Sequence, residues 1–134
     1  MRDAGHQVSV YERSSVRLEQ RGAGIGFLPA TYRYLQTRAA VDIEKISVKT
    51  DHIRYLDDKS KVVYDAKHQY RFSSWNAVYS STLAHFGSNE YHLDSEVVDF
   101  SQSSESVSIS LKNGRSITAD LLVGADGIGS FMRE

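Results

Sequence analysis

One short motif near the C-terminus constrains the fold of this chain more than any other. Leu121-Leu122-Val123 is apolar without alternation, which is typical of a strand that is covered on both faces in a parallel sheet. The run leads into Gly124-Ala125-Asp126-Gly127, and we predict a helix that begins near Ser130. Strand, loop and helix in this order predict an α/β fold, with Asp126 at the sheet edge where such folds bind ligands.

Asp126 has two interpretations. As a binding residue it would orient phosphate or ribose groups, because Gly124 and Gly127 allow a ligand to approach the backbone closely. As a structural residue it would cap the helix that follows. The length of the motif favours the binding interpretation.

A second strand is predicted close to the N-terminus. Met1–Gly5 has the pattern of a last helical turn that ends at a glycine cap, and the alternating run that follows, Val8–Tyr11, is typical of a strand. A carboxylate at the end of such a strand, here Glu12, can accept hydrogen bonds from both hydroxyls of a ribose. Taken alone, Glu12 fits a solvated strand end better. We expect Glu12 and Asp126 to project from neighbouring parallel strands into one cleft that fits an adenine-bearing coenzyme.

The glycine-rich segment 22–27 does not match the dinucleotide-binding fingerprint. That fingerprint needs glycines at its first, third and sixth positions, and Phe27 occupies the sixth. It also needs a buried strand directly before it, whereas residues 17–21 are mostly charged. A loop that lets a flat ligand approach, with Arg21 available for a phosphate, and a plain tight turn both remain possible.

Further elements follow from periodicity and turn residues. We predict helices over 29–38 and over 75–85, the second capped by Ser73 or Ser74, and leave 41–50 unassigned. A hairpin is predicted over 52–64, and short strands over 91–93, 96–100, 106–111 and 116–118. Asn113-Gly114 predicts a type I′ turn between the last two strands.

Composition excludes several classes of function. The 134 residues carry a net charge of -1, which argues against a nucleic-acid partner. We expect no membrane span or signal peptide, because no apolar run approaches the roughly 20 residues that a span needs. Cys 0 excludes disulfides and thiolate sites, which fits a cytoplasmic protein. The five histidines show no metal-ligand spacing, so no metal is expected.

Four segments together resemble the FAD-dependent aromatic hydroxylases of the p-hydroxybenzoate hydroxylase type. They are 5–13, 22–25, 74–79 and 122–130, and they occur in the order of that family. Within the family the sequence is most similar to the 2,6-dihydroxypyridine 3-monooxygenase branch. The resemblance covers essentially the whole chain.

The resemblance implies a partial FAD/NAD(P)-binding Rossmann-like domain with an inserted antiparallel β-sheet. It also implies an activity that uses FAD, NAD(P)H and O2 to hydroxylate a small aromatic or N-heteroaromatic substrate. No catalytic residue can be assigned from the resemblance. Glu12 would hold the adenosine ribose, the Val97 backbone would lie near the adenine, and Asp126 would support cofactor phosphates. The full set of implied cofactor-binding residues is Glu12, Arg13, Arg21, Gly22, Gly24, Val97, Asp126 and Gly127.

The resemblance also implies a division of the chain into three regions. It implies a partial FAD-binding region over 1–50, a substrate-domain hairpin over 51–72 and a return to the FAD-binding domain over 73–134. The sequence departs from the family pattern at several motifs. The family's Gly-x-Gly-x-x-Gly loop and its later Gly-Asp motif are missing, and Ser80 stands where relatives usually carry an arginine. We therefore expect an internal or truncated fragment of a monooxygenase. The alternatives are a non-catalytic remnant that does not bind FAD stably and a β-rich binding module.

Overall fold

The computed structural model describes residues 1–19 and 22–133 and separates them into two compact units. The first unit contains Met1–Val8 and Arg17–Glu90, and the second contains Ser9–Val16 and the segment from Tyr91 onward. The two units are defined by contacts between residues. The predicted division into 1–50, 51–72 and 73–134 describes functional regions, and it stays a prediction.

The first unit is a three-stranded antiparallel sheet with helices. Its elements are a 3₁₀ turn over Arg2–Ala4, strand β2 over Gly24–Phe27, helix α1 over Pro29–Thr37, helix α2 over Ile43–Ile46, strand β3 over Ser47–Leu56, strand β4 over Val62–Ser74 and helix α3 over Trp75–Phe86. The strand order is β2-β4-β3. Gly5 caps the 3₁₀ turn with φ 87°, as predicted.

Local sequence explains the helices and the core of this unit. Pro29 occupies the first turn of α1, and the Ser74 hydroxyl accepts a hydrogen bond from the N–H of Ala77 at the start of α3. Each of these residue types is favoured at a helix N-terminus. The helices and the sheet bury Phe27, Leu35 and Ile43 together.

The second unit contains two small sheets. Strand β1 over Val10–Tyr11 pairs in parallel with strand β5 over Tyr91–His92. Strands β6 over Val97–Gln102, β7 over Val107–Leu111 and β8 over Ser116–Ala119 form an antiparallel sheet in that order. β7 buries every second residue, Val107, Ile109 and Leu111, as expected for a strand with one face against a core.

Three expectations at the level of elements are wrong. Residues 121–123 form no strand, and the side chains of Leu121 and Val123 are 62% and 61% exposed, because no described strand lies beside them to complete a hydrogen-bonded ladder. No helix begins at Ser130, since residues 128–133 contain only turns and a bend. Gly24–Phe27 is a strand rather than a loop, because its backbone pairs with β4.

The turn at Asn113-Gly114 is also not of type I′. That type needs positive φ at both central residues, and here Gly114 has φ 85° whereas Asn113 is absent from the residues with positive φ. The N–H of Gly114 donates to the Leu111 carbonyl at 2.9 Å, and Leu111 N–H donates to the Arg115 carbonyl at 2.8 Å. This pattern is a three-residue hairpin loop with glycine at the left-handed position.

Within the described ranges, no helix qualifies as a candidate membrane span. The same residues contain no group of three or more His, Cys, Asp or Glu side chains placed to hold a metal ion.

Candidate functional site

Glu12 lies directly after β1, at the carboxyl end of a parallel strand. Its N–H donates to the His92 carbonyl at 2.9 Å, which extends the parallel pairing by one residue. Its Oε1 atom accepts a hydrogen bond from the N–H of Ser14 at 2.8 Å, and the residue is half-buried. The turn that follows β1 thus fixes the Glu12 carboxylate at the strand end.

The other side of this turn is held by the segment after β5. The N–H of Ser95 donates to the Glu12 carbonyl and the N–H of Asp94 donates to the Ser14 carbonyl, both at 2.9 Å. Ser95 is 5% exposed, and its hydroxyl donates to the Leu93 carbonyl at 2.9 Å. Residues 93–95 therefore form a hydrogen-bonded support for the backbone of the Glu12 turn.

Val97 and Arg13 lie near this support. Val97 begins β6, is half-buried and pairs with Leu111. Its neighbour Glu96 forms an ion pair with Lys112 at 2.7 Å. The hydrogen bond from Lys112 and its positive charge lower the pKa of Glu96, and the charge of Arg13 contributes a smaller lowering. Glu12, Arg13 and Val97 are thus brought together around Ser95 and Glu96.

Asp126 uses both carboxylate oxygens within its own loop. Oδ1 accepts a hydrogen bond from the Ser130 hydroxyl at 2.6 Å, and Oδ2 accepts one from the N–H of Met132 at 3.1 Å. The hydrogen bond from Ser130 is the main cause that lowers the pKa of Asp126, and backbone N–H groups, that of Met132 first, add to it. Asp126 therefore accepts hydrogen bonds from its own loop in the manner of a helix N-cap residue, although no helix follows.

Two glycines shape the same loop. Gly127 has φ 82°, a conformation that favours glycine. A Cβ atom on Gly124 would lie 2.9 Å from the Cβ of Met132, so the close return of the chain requires a residue without a side chain. The Arg133 guanidinium donates to the Gly127 carbonyl at 3.0 Å.

The remaining predicted binding residues belong to the first unit. Gly22 is exposed, and Gly24 is the first residue of β2, paired with Ser74. The carbonyl of Ala23 between them accepts the N–H of Trp75 at 2.8 Å. Arg21 lies outside the described residues. The roles of all three as cofactor-binding residues stay predictions.

Contrary to expectation, Glu12 and Asp126 do not project from neighbouring parallel strands into one cleft. β1 pairs with β5, and residues 121–123, which precede Asp126, are not a strand. A groove of about 420 Å³ does lie beside the Asp126 loop, a volume within the range of small-molecule sites. Its apolar lining includes Phe100, Val107, Leu121, Leu122 and Met132, and among the described residues Glu12 and Val97 do not line it.

Sequence reasoning missed the Glu96–Lys112 pair. A usable signal was present, because a hairpin centred near Ser104 places positions 96 and 112 opposite each other. The structure has this arrangement, with Val97 paired with Leu111 and Gln102 paired with Val107. Strand prediction alone, without pairing the strands, did not bring these two charges together.

Comparison with known proteins identifies relatives along the whole chain. No protein-family model matches it. It is 34% identical to the 2,6-dihydroxypyridine 3-monooxygenase of Paenarthrobacter nicotinovorans over 135 residues, which cover 100% of this chain and 34% of the relative. The chain therefore spans about a third of the length of that relative.

Solved structures agree with this relationship. The 2,6-dihydroxypyridine-3-hydroxylase from Arthrobacter nicotinovorans matches with a TM-score of 0.89 and 34% identity, over 98% of this chain and 34% of that chain. A variant of HpxO from Klebsiella pneumoniae, solved in complex with FAD, matches with a TM-score of 0.84 and 19% identity, over 98% of this chain and 36% of that chain. This second match shows the fold alone.

The predicted α/β class, a partial FAD-binding fold that carries antiparallel sheets, is therefore confirmed. The predicted resemblance is confirmed as well: over its whole length this chain is similar to the 2,6-dihydroxypyridine 3-monooxygenase, of which it spans about one third.

Proposed function

We propose that this chain is the part of an FAD-dependent monooxygenase that holds the adenosine end of FAD. The whole enzyme would hydroxylate a small aromatic or N-heteroaromatic substrate with NAD(P)H and O2. The observation that carries the proposal is the position of Glu12 at the carboxyl end of a parallel strand, the place where open α/β folds bind nucleotides.

The residues around Glu12 fit an adenosine. An ionised carboxylate only accepts hydrogen bonds and can take several at once, so Glu12 can receive ribose hydroxyls in addition to the N–H of Ser14. The fixed turn at Ser14 and Ser95 lowers the entropy that ordering this carboxylate would cost on binding. Val97 would offer its backbone to the adenine, and Arg13 would lie beside the ribose.

Asp126 and Gly127 would act on the phosphate side of the cofactor. Asp126 would keep its loop in one shape, so that backbone N–H groups of the loop can face an anionic group. FAD supplies the redox chemistry when it is bound, and the role of this chain is to bind and orient it. Gly22, Gly24 and Arg21 remain proposed cofactor contacts on the evidence of the family motif alone.

A second candidate function is a remnant that does not bind FAD stably. It is favoured by residues 121–123, which pair with no described strand and in which the side chains of Leu121 and Val123 are exposed. It is also favoured by Asp126, whose two oxygens already have partners inside the loop.

ADP binding to this chain separates the two candidates. We expect ADP to shift the backbone amide signals of Glu12 and Val97 in an NMR titration, and Glu12→Gln to weaken ADP binding by about 1–3 kcal/mol, the scale of lost hydrogen bonds to a charged group. Gln keeps an oxygen for Ser14, so the turn should persist. Glu105→Gln, an exposed glutamate between β6 and β7, is the matched control.

The result has clear alternatives. No ADP binding by the unaltered chain would support the remnant. Binding that Glu12→Gln leaves unchanged would remove Glu12 from the adenosine site.

A further inference from the structure

Glu96 and Lys112 are joined by two separate hydrogen bonds. The backbone N–H of Lys112 donates to the Glu96 carbonyl at 2.9 Å, and the Lys112 Nζ donates to the Glu96 Oε2 at 2.7 Å. Glu96 directly precedes β6 and Lys112 directly follows β7. The two bonds therefore close the end of the β6–β7 hairpin at which Val97 lies.

Val97 depends on this closure more than other residues of β6 do. The register between β6 and β7 shifts between Val97 and Asp99, so a bulge interrupts the ladder immediately after Val97. A bulge leaves one residue unpaired and disrupts the ladder locally. On its other side Val97 is continuous with Glu96, and the contacts of Glu96 with Lys112 hold it there.

The same segment is tied to Glu12. The N–H of Ser95, the residue before Glu96, donates to the Glu12 carbonyl at 2.9 Å, and Ser95 is 5% exposed. Residues 95–97 thus run from a contact with Glu12 to a contact with Lys112. Any movement of Glu96 would change the spacing between the Val97 backbone and the Glu12 turn.

We propose that Glu96 and Lys112 are a positioning pair that sets the spacing between Val97 and Glu12, the two groups proposed to hold the adenosine. This inference rests on the proposed function. Lys112 acts through Glu96 and contacts no proposed cofactor atom itself. The pair therefore affects the affinity of the adenosine site rather than any chemical step.

The electrostatics of the pair are consistent with this role. The hydrogen bond with Lys112 lowers the pKa of Glu96, and the same bond raises the pKa of Lys112, with a smaller contribution from the charge of Asp94. Both side chains are thus charged at neutral pH. The side chain of Lys112 is 72% exposed, and exposed ion pairs contribute little to stability, so the pair should matter for binding more than for folding.

ADP affinity of the 134-residue chain tests the proposal. We expect Lys112→Met to raise the Kd for ADP roughly 3- to 10-fold, the scale of one modest interaction, and to reduce the ADP-induced shift of the Val97 amide signal. Lys112→Arg should restore both, because it keeps the charge and the donor. The thermal midpoint should stay within a few degrees in all variants. Lys61→Met, an exposed lysine between β3 and β4, is the matched control.

Each outcome decides between the two proposals. If Glu12→Gln weakens ADP binding but Lys112→Met does not, the proposal that Glu96 and Lys112 position the site is wrong, and the proposal of an adenosine site at Glu12 stands. If Lys61→Met weakens ADP binding as much as Lys112→Met does, the weakening comes from the loss of one positive charge, and the proposed positioning role of the pair is wrong as well. Absence of ADP binding by the unaltered chain overturns the adenosine site and the pair together.

Discussion

The shape of the loop after Gly124 depends on the charge of a single residue, Asp126. Its two oxygens accept hydrogen bonds from the Ser130 hydroxyl and the Met132 N–H. Hydrogen bonds to an ionised carboxylate are stronger than those to a neutral acid and favour the ionised form. The loop should therefore keep its shape only while Asp126 is ionised.

The pH dependence of this loop follows from the direction of the shift. The pKa of Asp126 lies below its ordinary value of 3.8, chiefly because of the hydrogen bond from Ser130. The folded pKa is depressed, so the stabilisation is present above 3.8 and is lost as the pH falls through the lower, folded pKa. We expect the Met132 amide signal to titrate with a midpoint below 3.8, measured by NMR.

Two variants check the assignment of that transition. Asp126→Asn should abolish the Met132 titration, and Ser130→Ala should move its midpoint upward. Asp120→Asn, a change at an exposed aspartate nearby in sequence, should leave it unchanged. A midpoint above the ordinary value in the unaltered chain would contradict the interpretation.

Among the elements, α3 has the most complete local signal. Its apolar spacing predicts a helix over 75–85, the observed helix spans Trp75–Phe86, and Ser74 caps it. We expect Ser74→Ala to lower the free energy of unfolding by about 0.5–2 kcal/mol, because the Ala77 N–H loses its side-chain acceptor. Urea unfolding followed by the fluorescence of Trp75, the only tryptophan, measures this change.

A conservative variant separates capping from other effects of Ser74. Ser74 also pairs with Gly24 through the backbone, and that pairing does not depend on the side chain. Ser74→Asn keeps a side-chain acceptor and should retain most of the stability. Equal losses for Ala and Asn would show that the cap is not the cause.

Elements with local signals were predictable, and elements that depend on distant partners were not. The β3–β4 hairpin follows from alternation and from the turn residues at Asp57–Ser60, and the structure extends it to Ser47–Leu56 and Val62–Ser74. Residues 121–123 have the composition of a buried strand, yet such a strand exists only where neighbours pair with it. The turn at Gly114 was placed correctly and its type was not, because Asn-Gly is compatible with more than one loop geometry.

In the candidate site, too, local features could be predicted from the sequence and contacts between distant segments could not. Glu12 could be placed from the sequence because a strand end is a local feature. Its contact with Ser95 connects segments that are far apart in the sequence, and the pairing of Glu96 with Lys112 depends on strand register. Register follows from pairing rather than from composition, so the support around Glu12 became visible only in the structure.

Each unit of the molecule has a small core of its own, so a single core residue should contribute strongly to stability. In the first unit, Phe27, Leu35 and Ile43 are buried together, and Leu35 is 4% exposed. Leu28 is only seven positions earlier, at the start of α1, and is 61% exposed. Leu35 lies within α1 and Leu28 is the N-cap residue of the same helix, and the two leucines differ strongly in burial.

This pair permits a matched test of the core. We expect Leu35→Ala to lower the free energy of unfolding by about 2–5 kcal/mol, because it removes buried methylene groups and leaves a cavity. Leu28→Ala should change it by no more than about 0.5 kcal/mol, since an exposed side chain gains little from folding. Thermal and urea unfolding, followed at Trp75 in the same unit, measure both changes. Similar losses in the two variants would mean that Leu35 is not part of a packed core, and the folded state described for this unit would then be wrong.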